Sequence, residues 1–332
     1  MNIRMSIILS TGIIMARYGY DQMPPTLWLI LLLVMTSMAI VLRKWLQSQC
    51  ILFYICLFLL GGLLTSYQEC RNRKPVTYFT MDELSEQDRF LTTAQERRAE
   101  IEQKLKGLGI ENEDFGVIAA MAMGDKTALD KDTKEVYSVA GASHVLAVSG
   151  LHISIIFQLL IMLLGGNRRH IFVILSALVA IWMYVLFIGM PASAVRSATM
   201  LSVYGFVTMT RRNKNSLRSL SIAFTIMLLC NPLYLFDLSF QMSFAAVGSI
   251  IVFLPLLSSL YHPTHRLSQW IWGMLCVSAA AQIGALPLIT YYFGRISCYS
   301  LLTTFIAIPA AMGILYLCCM LMLMSPFLLL SP

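Results

Sequence analysis

The run IFVILSALVAIWMYVLFIG, residues 171–189, contains no charged side chain and no proline. A bilayer core of roughly 30 Å needs about 17–25 consecutive apolar residues to cross it as a helix. This run meets that length, and its composition leaves nothing that would hold it in water. Similar runs lie near 5–20, 26–42, 50–66, 144–164, 193–210, 217–230, 240–259, 269–290 and 299–324. The first and the seventh of the ten are short or interrupted. The sequence therefore predicts an all-α polytopic membrane protein of about ten transmembrane helices with one outer helical segment.

Composition supports this reading. Of 332 residues, 58% are hydrophobic and only 12% charged, with a mean hydropathy of +0.73. Soluble domains carry about a quarter charged residues, so roughly half the expected charge is missing. Residues 1–17 include Arg4 and an apolar stretch, but no small-x-small cleavage site stands out before Arg17 and Tyr18. They read as a first span rather than a secretory signal. No internal repeat is visible, so an inverted-repeat transporter has no support from the sequence.

Charge placement gives the orientation. Residues 66–143 hold 11 Lys and Arg against 15 Asp and Glu, leaving 13 of the 24 basic and 2 of the 17 acidic residues elsewhere. Nine of those 13 basic residues cluster in alternate loops: Arg43 and Lys44, Arg168 and Arg169, Arg211 to Arg218, and Arg266. The positive-inside rule places those loops in the cytoplasm. The segment 67–143 is then outside, between the spans of 1–66 and the bundle of 144–332, and both termini are cytoplasmic in a bacterial inner membrane. The pI near 9.0 is mostly this topology signal. It is not a nucleic-acid footprint.

Within the outer segment, residues 83–106 form a charged amphipathic stretch, with Leu84, Leu91, Ala94, Ile101, Leu105 and, just beyond it, Leu108 as apolar members. It suits a membrane surface or the side of the bundle. Residues 115–123 are apolar but too short to span, which suits a re-entrant or core-packed helix. Asp132 and Glu135 have capping-box spacing, Gly141 suits a helix stop, and Ser143 suits a cap for the fourth span.

Eight cysteines are present without CxxC or Cys/His metal spacing, so no metal or cofactor is expected. Only Cys70 and Cys298 fall in loops on the same outer side, where a disulfide between them is conceivable.

Polar groups inside a membrane are costly and need a partner or a role. The fourth span opens SHVLAVSGLH, residues 143–152. His144 and His152 lie about 80° apart on a helix and can share a face. Gly150 after Ser149 permits a break that exposes backbone groups to a polar path. Three readings stand side by side: Ser and His bonded to neighbouring helices, a polar path for a solute or polymer, and a Ser149/His152 nucleophile–base pair at i,i+3 spacing. Arg196 lies about one turn inside the sixth span, among small residues that let helices approach. It can snorkel, pair with Asp237, or meet an anion. Gln241 is one turn beyond Asp237 on the eighth span, followed by Ser243. Gln282 and Pro287 mark the ninth, where proline removes a backbone bond and favours a kink. The sequence Tyr291-Tyr292-Phe293-Gly294-Arg295 suits an interfacial anchor or, alternatively, base stacking.

Several blocks have a family look. MGDKTAL at 123–129 with Asp125, then AGASHVLAVSGLH at 140–152, closely resemble the signature of the ComEC competence family. The likeness continues through Pro191 to Ala198, Asn231-Pro232, Phe236-Asp237, Phe240 to Phe244, Ala281-Gln282, Leu286-Pro287, Phe293-Gly294 and Ile308-Pro309. This resemblance implies a channel passing single-stranded DNA across the inner membrane in natural transformation, and no enzyme. Its implied partners are single-stranded DNA, membrane lipids, an outer DNA receptor, a cytoplasmic translocation motor and a possible second copy of the chain. The implied path residues are Asp125, Ser143, His144, Ser149, Gly150, His152, Arg196, Asp237, Gln241, Ser243, Gln282 and Pro287.

The sequence departs from the family pattern in two places. About 20 residues, 67–90, stand where family members carry an outer OB-like domain. The sequence stops at Pro332 without the C-terminal metallo-β-lactamase-like domain, and no His-x-His-x-Asp-His cluster occurs. Nuclease activity is not carried over, and a shortened, split or truncated member is expected. The alternatives from other classes are an intramembrane hydrolase or acyl transferase using Ser149 and His152, and a lipid or small-solute transporter.

Overall fold

A computed structural model describes residues 3–19, 23–41, 46–72, 116, 119–120, 130, 132, 135, 149–165, 171–209, 216–294, 309–310 and 312–317. Among them every regular element is helical. The helices are α1 (Ile3–Tyr18), α2 (Pro25–Val41), α3 (Leu46–Asn72), α4 (Gly150–Leu163), α5 (Ile171–Phe187), α6 (Ala192–Met209), α7 (Ser216–Cys230), α8 (Leu238–Ser258) and α9 (Arg266–Phe293). A short 3-10 helix, Pro232–Phe236, links α7 to α8.

Ile51–Asn72, Leu238–Ser258 and Arg266–Phe293 are long and apolar enough to cross a membrane. Pro25–Val41, Gly150–Leu163, Ile171–Phe187 and Ser216–Cys230 are apolar but shorter. Many large apolar side chains face outward, including Ile30, Leu33, Phe172 and Met183. In water such a surface would drive association; against lipid it has its natural solvent. The chain is a helical membrane protein. The amphipathic stretch 83–106, Gly141, Ser143 and the tenth span apart from 309–310 and 312–317 lie outside the described residues, as does Cys298. Asp132 and Glu135 are both helical.

The chain divides into two units, Met1–Tyr78 with Asn213–Phe244, and Phe79–Arg212 with Ala245–Pro332. In the first, the short α1 is held by close contact rather than by hydropathy. Leu9 and Ile13 are fully buried. A Cβ on Gly12 would strike the Phe58 carbonyl oxygen, and one on Gly61 would lie 2.6 Å from the Leu9 carbonyl oxygen. Glycine on both helices lets the backbones meet. Ser6 Oγ donates to the Ser221 carbonyl at 3.2 Å and shares a 3.0 Å hydrogen bond with Thr225 Oγ1, joining α1 to α7. Phe240 is almost fully buried and packs against Phe224, Tyr234 and Phe244.

In the second unit, α4, α5 and α6 pack around Ile153, Ile181, Val185, Ala194 and Ala198. Gly205 on α6 lies against Ile174 and Leu178 on α5, and Trp182 Nε1 donates to Ser202 Oγ at 3.1 Å. On α8 and α9, Ser249 Oγ donates to the Ala280 carbonyl at 2.6 Å. Gly284 faces the Ala245 backbone at the same crossing.

Candidate functional site

Ser149 has extended backbone angles, φ −104° and ψ 169°, and the helix begins at the next residue. Ser at this position suits an N-cap. His152 occupies the third helical position, where Glu or Gln commonly reaches back to the cap. Here the imidazole does so: the Ser149 backbone N–H donates to His152 Nδ1 at 3.1 Å, and Ser149 Oγ lies 2.8 Å from the same nitrogen. Because Nδ1 accepts the backbone N–H, the proton of the neutral ring sits on Nε2. His152 is 1% exposed, with Nε2 buried.

The glycine between them has a role that the sequence did not suggest. A Cβ on Gly150 would strike Ser197 Oγ on α6. Gly150 is therefore a site of close approach between α4 and α6 as well as the start of a helix.

That contact brings the capped start of α4 against the residue next to Arg196. The turn before α6 is built by Gly189 at φ 83°, Met190 at φ 54° and Pro191. The Pro191 carbonyl accepts from Ala194 N at 2.9 Å and Val195 N at 3.1 Å, opening the helix. Arg196 falls in the second turn, 4% exposed, between the fully buried Ala194 and Ala198. It is the only Lys, Arg, Asp or Glu buried among the described residues. The hydroxyls of Ser197, Thr199 and Ser202 bond back to carbonyls of their own helix, which makes them tolerable in an apolar bundle.

Asp237, Gln241 and Ser243 belong to the other unit. Asn231 Oδ1 accepts from Leu233 N at 3.1 Å, and Pro232 starts the 3-10 turn. Asp237 then caps α8, its Oδ1 accepting from Ser239 N at 3.2 Å while its carbonyl accepts from Gln241 N. Gln241 Nε2 donates to the Leu235 carbonyl at 2.8 Å, tying α8 back to the turn. Ser243 is half-buried on α8.

Gln282 and Pro287 lie on α9, which continues as one helix through the proline to Phe293. The missing N–H of Pro287 leaves the carbonyl four residues earlier without its helical donor. Tyr291 and Tyr292 stand edge to face, 5.1 Å apart, and both are exposed. Asp125, Ser143, His144 and Arg295 lie outside the described residues.

The Ser149–His152 contact has the distance of a nucleophile and base. Its nitrogen, however, already receives a backbone N–H, which is what a helix cap requires. Ser149→Ala is expected to cost about 1 kcal/mol of stability, read by thermal unfolding in detergent, and otherwise to be tolerated. A covalent nucleophile would instead lose nearly all turnover.

These features define a helical membrane protein with a buried arginine beside a capped helix start. The family model described as Competence protein matches residues 121–332, and the chain belongs to that family. It is similar to ComE operon protein 3 of Bacillus subtilis, 30% identical over 58% of this chain and 24% of that protein. It also resembles Recombination protein 2 of Haemophilus influenzae, 24% identical over 64% of this chain and 28% of that protein. The chain spans about a quarter of the length of these relatives. No solved structure matches it.

Proposed function

We propose that the protein forms an inner-membrane channel through which single-stranded DNA is taken up in natural transformation. The observation that carries this reading is the burial of Arg196 in an apolar bundle within the region that matches the competence family. Intramembrane charges are costly, are held by partners within the bundle, and commonly mark an ion or substrate path. Each nucleotide of a strand brings one phosphate charge, and a bare phosphate in hydrocarbon is prohibitive. A path must therefore offer donors or water along its length.

In this reading Arg196, His144, His152, Gln282 and the hydroxyls of Ser143, Ser149 and Ser243 supply such groups, while Gln241 holds the turn that leads into α8. Asp125 and Asp237 limit the positive potential, and Gly150 and Pro287 shape the backbone around the path. One intramembrane arginine suits conduction, because several strong cation sites would trap the polymer. The ten-span topology places residues 67–143 outside and both termini in the cytoplasm. The names of the relatives support a role in competence and recombination. An outer DNA receptor would deliver the strand, a cytoplasmic motor would draw it in, and a second copy of the chain would complete a wider pore if one is needed. The protein itself acts as a conduit rather than an enzyme.

The test is uptake of labelled DNA in a competent strain whose own family gene is deleted, complemented with this chain alone. Uptake and transformants above the deletion background are expected. Neither appearing, with the protein present in the membrane, would defeat the proposal.

A further inference from the structure

Arg17 and Tyr18 close α1, and neither was among the path candidates. The Arg17 guanidinium carbon lies 4.2 Å from the centroid of the Phe236 ring. The Tyr18 ring stands edge to face with the same phenylalanine, centroids 5.8 Å apart and planes 74° apart. Arg17 is exposed, and Tyr18 is 74% exposed. Phe236 is thus shared by a cation and a second ring, while most of the tyrosine surface stays open.

This geometry has two chemical consequences. A cation–π contact of this kind uses no conventional hydrogen-bond acceptor, so it does not compete with an anion for the guanidinium's N–H groups. An exposed tyrosine beside it offers a flat surface for a planar, apolar ligand. A single strand of nucleic acid brings both partners at the matching scale, a phosphate and an unstacked base. The pair also adjoins Asp237, the next residue after Phe236, and the 3-10 turn that Gln241 holds.

We infer that Arg17, Tyr18 and Phe236 form a stacking platform that holds one nucleotide of a single strand at this end of the helices, Tyr18 taking the base and Arg17 the phosphate. The inference rests on the DNA-uptake reading and adds a contact site to it. Phe236 orients the other two and does not itself meet the strand.

The test is equilibrium binding of a fluorescent oligothymidylate to the full chain in lipid nanodiscs, across a salt series. Tyr18→Ala is expected to weaken binding at least about fivefold, within the range of one lost base stack. Tyr18→Trp should bind as well as the parent or better. Arg17→Gln should weaken binding and lower the slope of log affinity against log salt by about 0.7, the value for one phosphate on a single strand. An oligonucleotide with an abasic site at each position should bind the parent about as weakly as thymidylate binds Tyr18→Ala. If the parent binds and the Tyr18 and Arg17 variants match it in affinity and salt slope, the platform is overturned and the uptake reading stands. Unchanged binding together with loss of membrane insertion would likewise overturn it, making the pair a lipid-interface anchor. No binding by the parent chain would overturn both readings.

Discussion

Arg196→Ala is expected to lower DNA uptake by about ten- to a hundredfold, the effect of removing one charged hydrogen bond of about 1.5–3 kcal/mol. Its burial makes the change informative. The side chain lies in the second turn of α6 between two fully buried alanines, and no other Lys or Arg among the described residues is buried. Arg196→Lys should keep part of the activity, because the charge survives while the planar fork that grips phosphate is lost. The alternative raised by the sequence is an ion pair with Asp237. In that case the alanine variant leaves a half-buried carboxylate without its partner and lowers stability, by less than the loss of a fully buried pair would. Asp237→Asn separates the two. Asparagine caps helices as well as aspartate, so the Ser239 N–H bond at the start of α8 is retained while the charge goes. Uptake by labelled DNA and protein level in the membrane fraction are both needed. Full uptake by a stably inserted Arg196→Ala protein would refute the phosphate contact and the pair alike.

The parts that the sequence conveyed are those fixed by local rules. The run 171–189 became α5, ending at Phe187, and the expected eighth and ninth spans became α8 and α9 with ends shifted by a few residues. Their lengths and apolar composition are enough for that. Ser149 and His152 were legible as neighbours because i,i+3 spacing guarantees proximity on a helix. What the sequence could not convey was which bond they make, since a cap and a nucleophile pair share the spacing and differ only in the direction of a backbone N–H.

Contacts between distant segments were less visible. Gly150 looked like a break in a helix, and its contact with Ser197 was not legible, because nothing local joins positions so far apart. Gln241 looked like a group lining a face, whereas its amide holds the preceding turn. Phe236 appeared only as part of a family block, and its contact with Arg17 depends on how α1 packs. Ala245, Ser249, Ala280 and Gly284 were missed, although a signal was present. Small residues four apart on two neighbouring apolar helices are the usual mark of a close crossing.

That crossing gives a pair of substitutions on α9 with opposite signs. A Cβ at Gly284 would strike the Ala245 carbonyl oxygen and lie 2.6 Å from Ser249 Cβ. Backbone cannot swing aside as a side chain can, so α8 and α9 must separate. Separation would also stretch the 2.6 Å bond from Ser249 Oγ to the Ala280 carbonyl. Gly284→Ala is therefore expected to destabilise the protein by about 1–3 kcal/mol, and Gly284→Leu by more. Gly273 provides the control within the same helix. Nothing lies within 4 Å of a Cβ added there, and alanine is the better helix former by up to about 1 kcal/mol. Gly273→Ala should be neutral or stabilising. Thermal unfolding of the two alanine variants in the same detergent reads the difference directly. Because Gly284 lies between Gln282 and Pro287, a pushed-out helix should also displace both path candidates and reduce uptake, whereas Gly273→Ala should leave uptake unchanged. Equal melting points for the two alanine variants would show that the close approach of α8 and α9 contributes nothing to the fold.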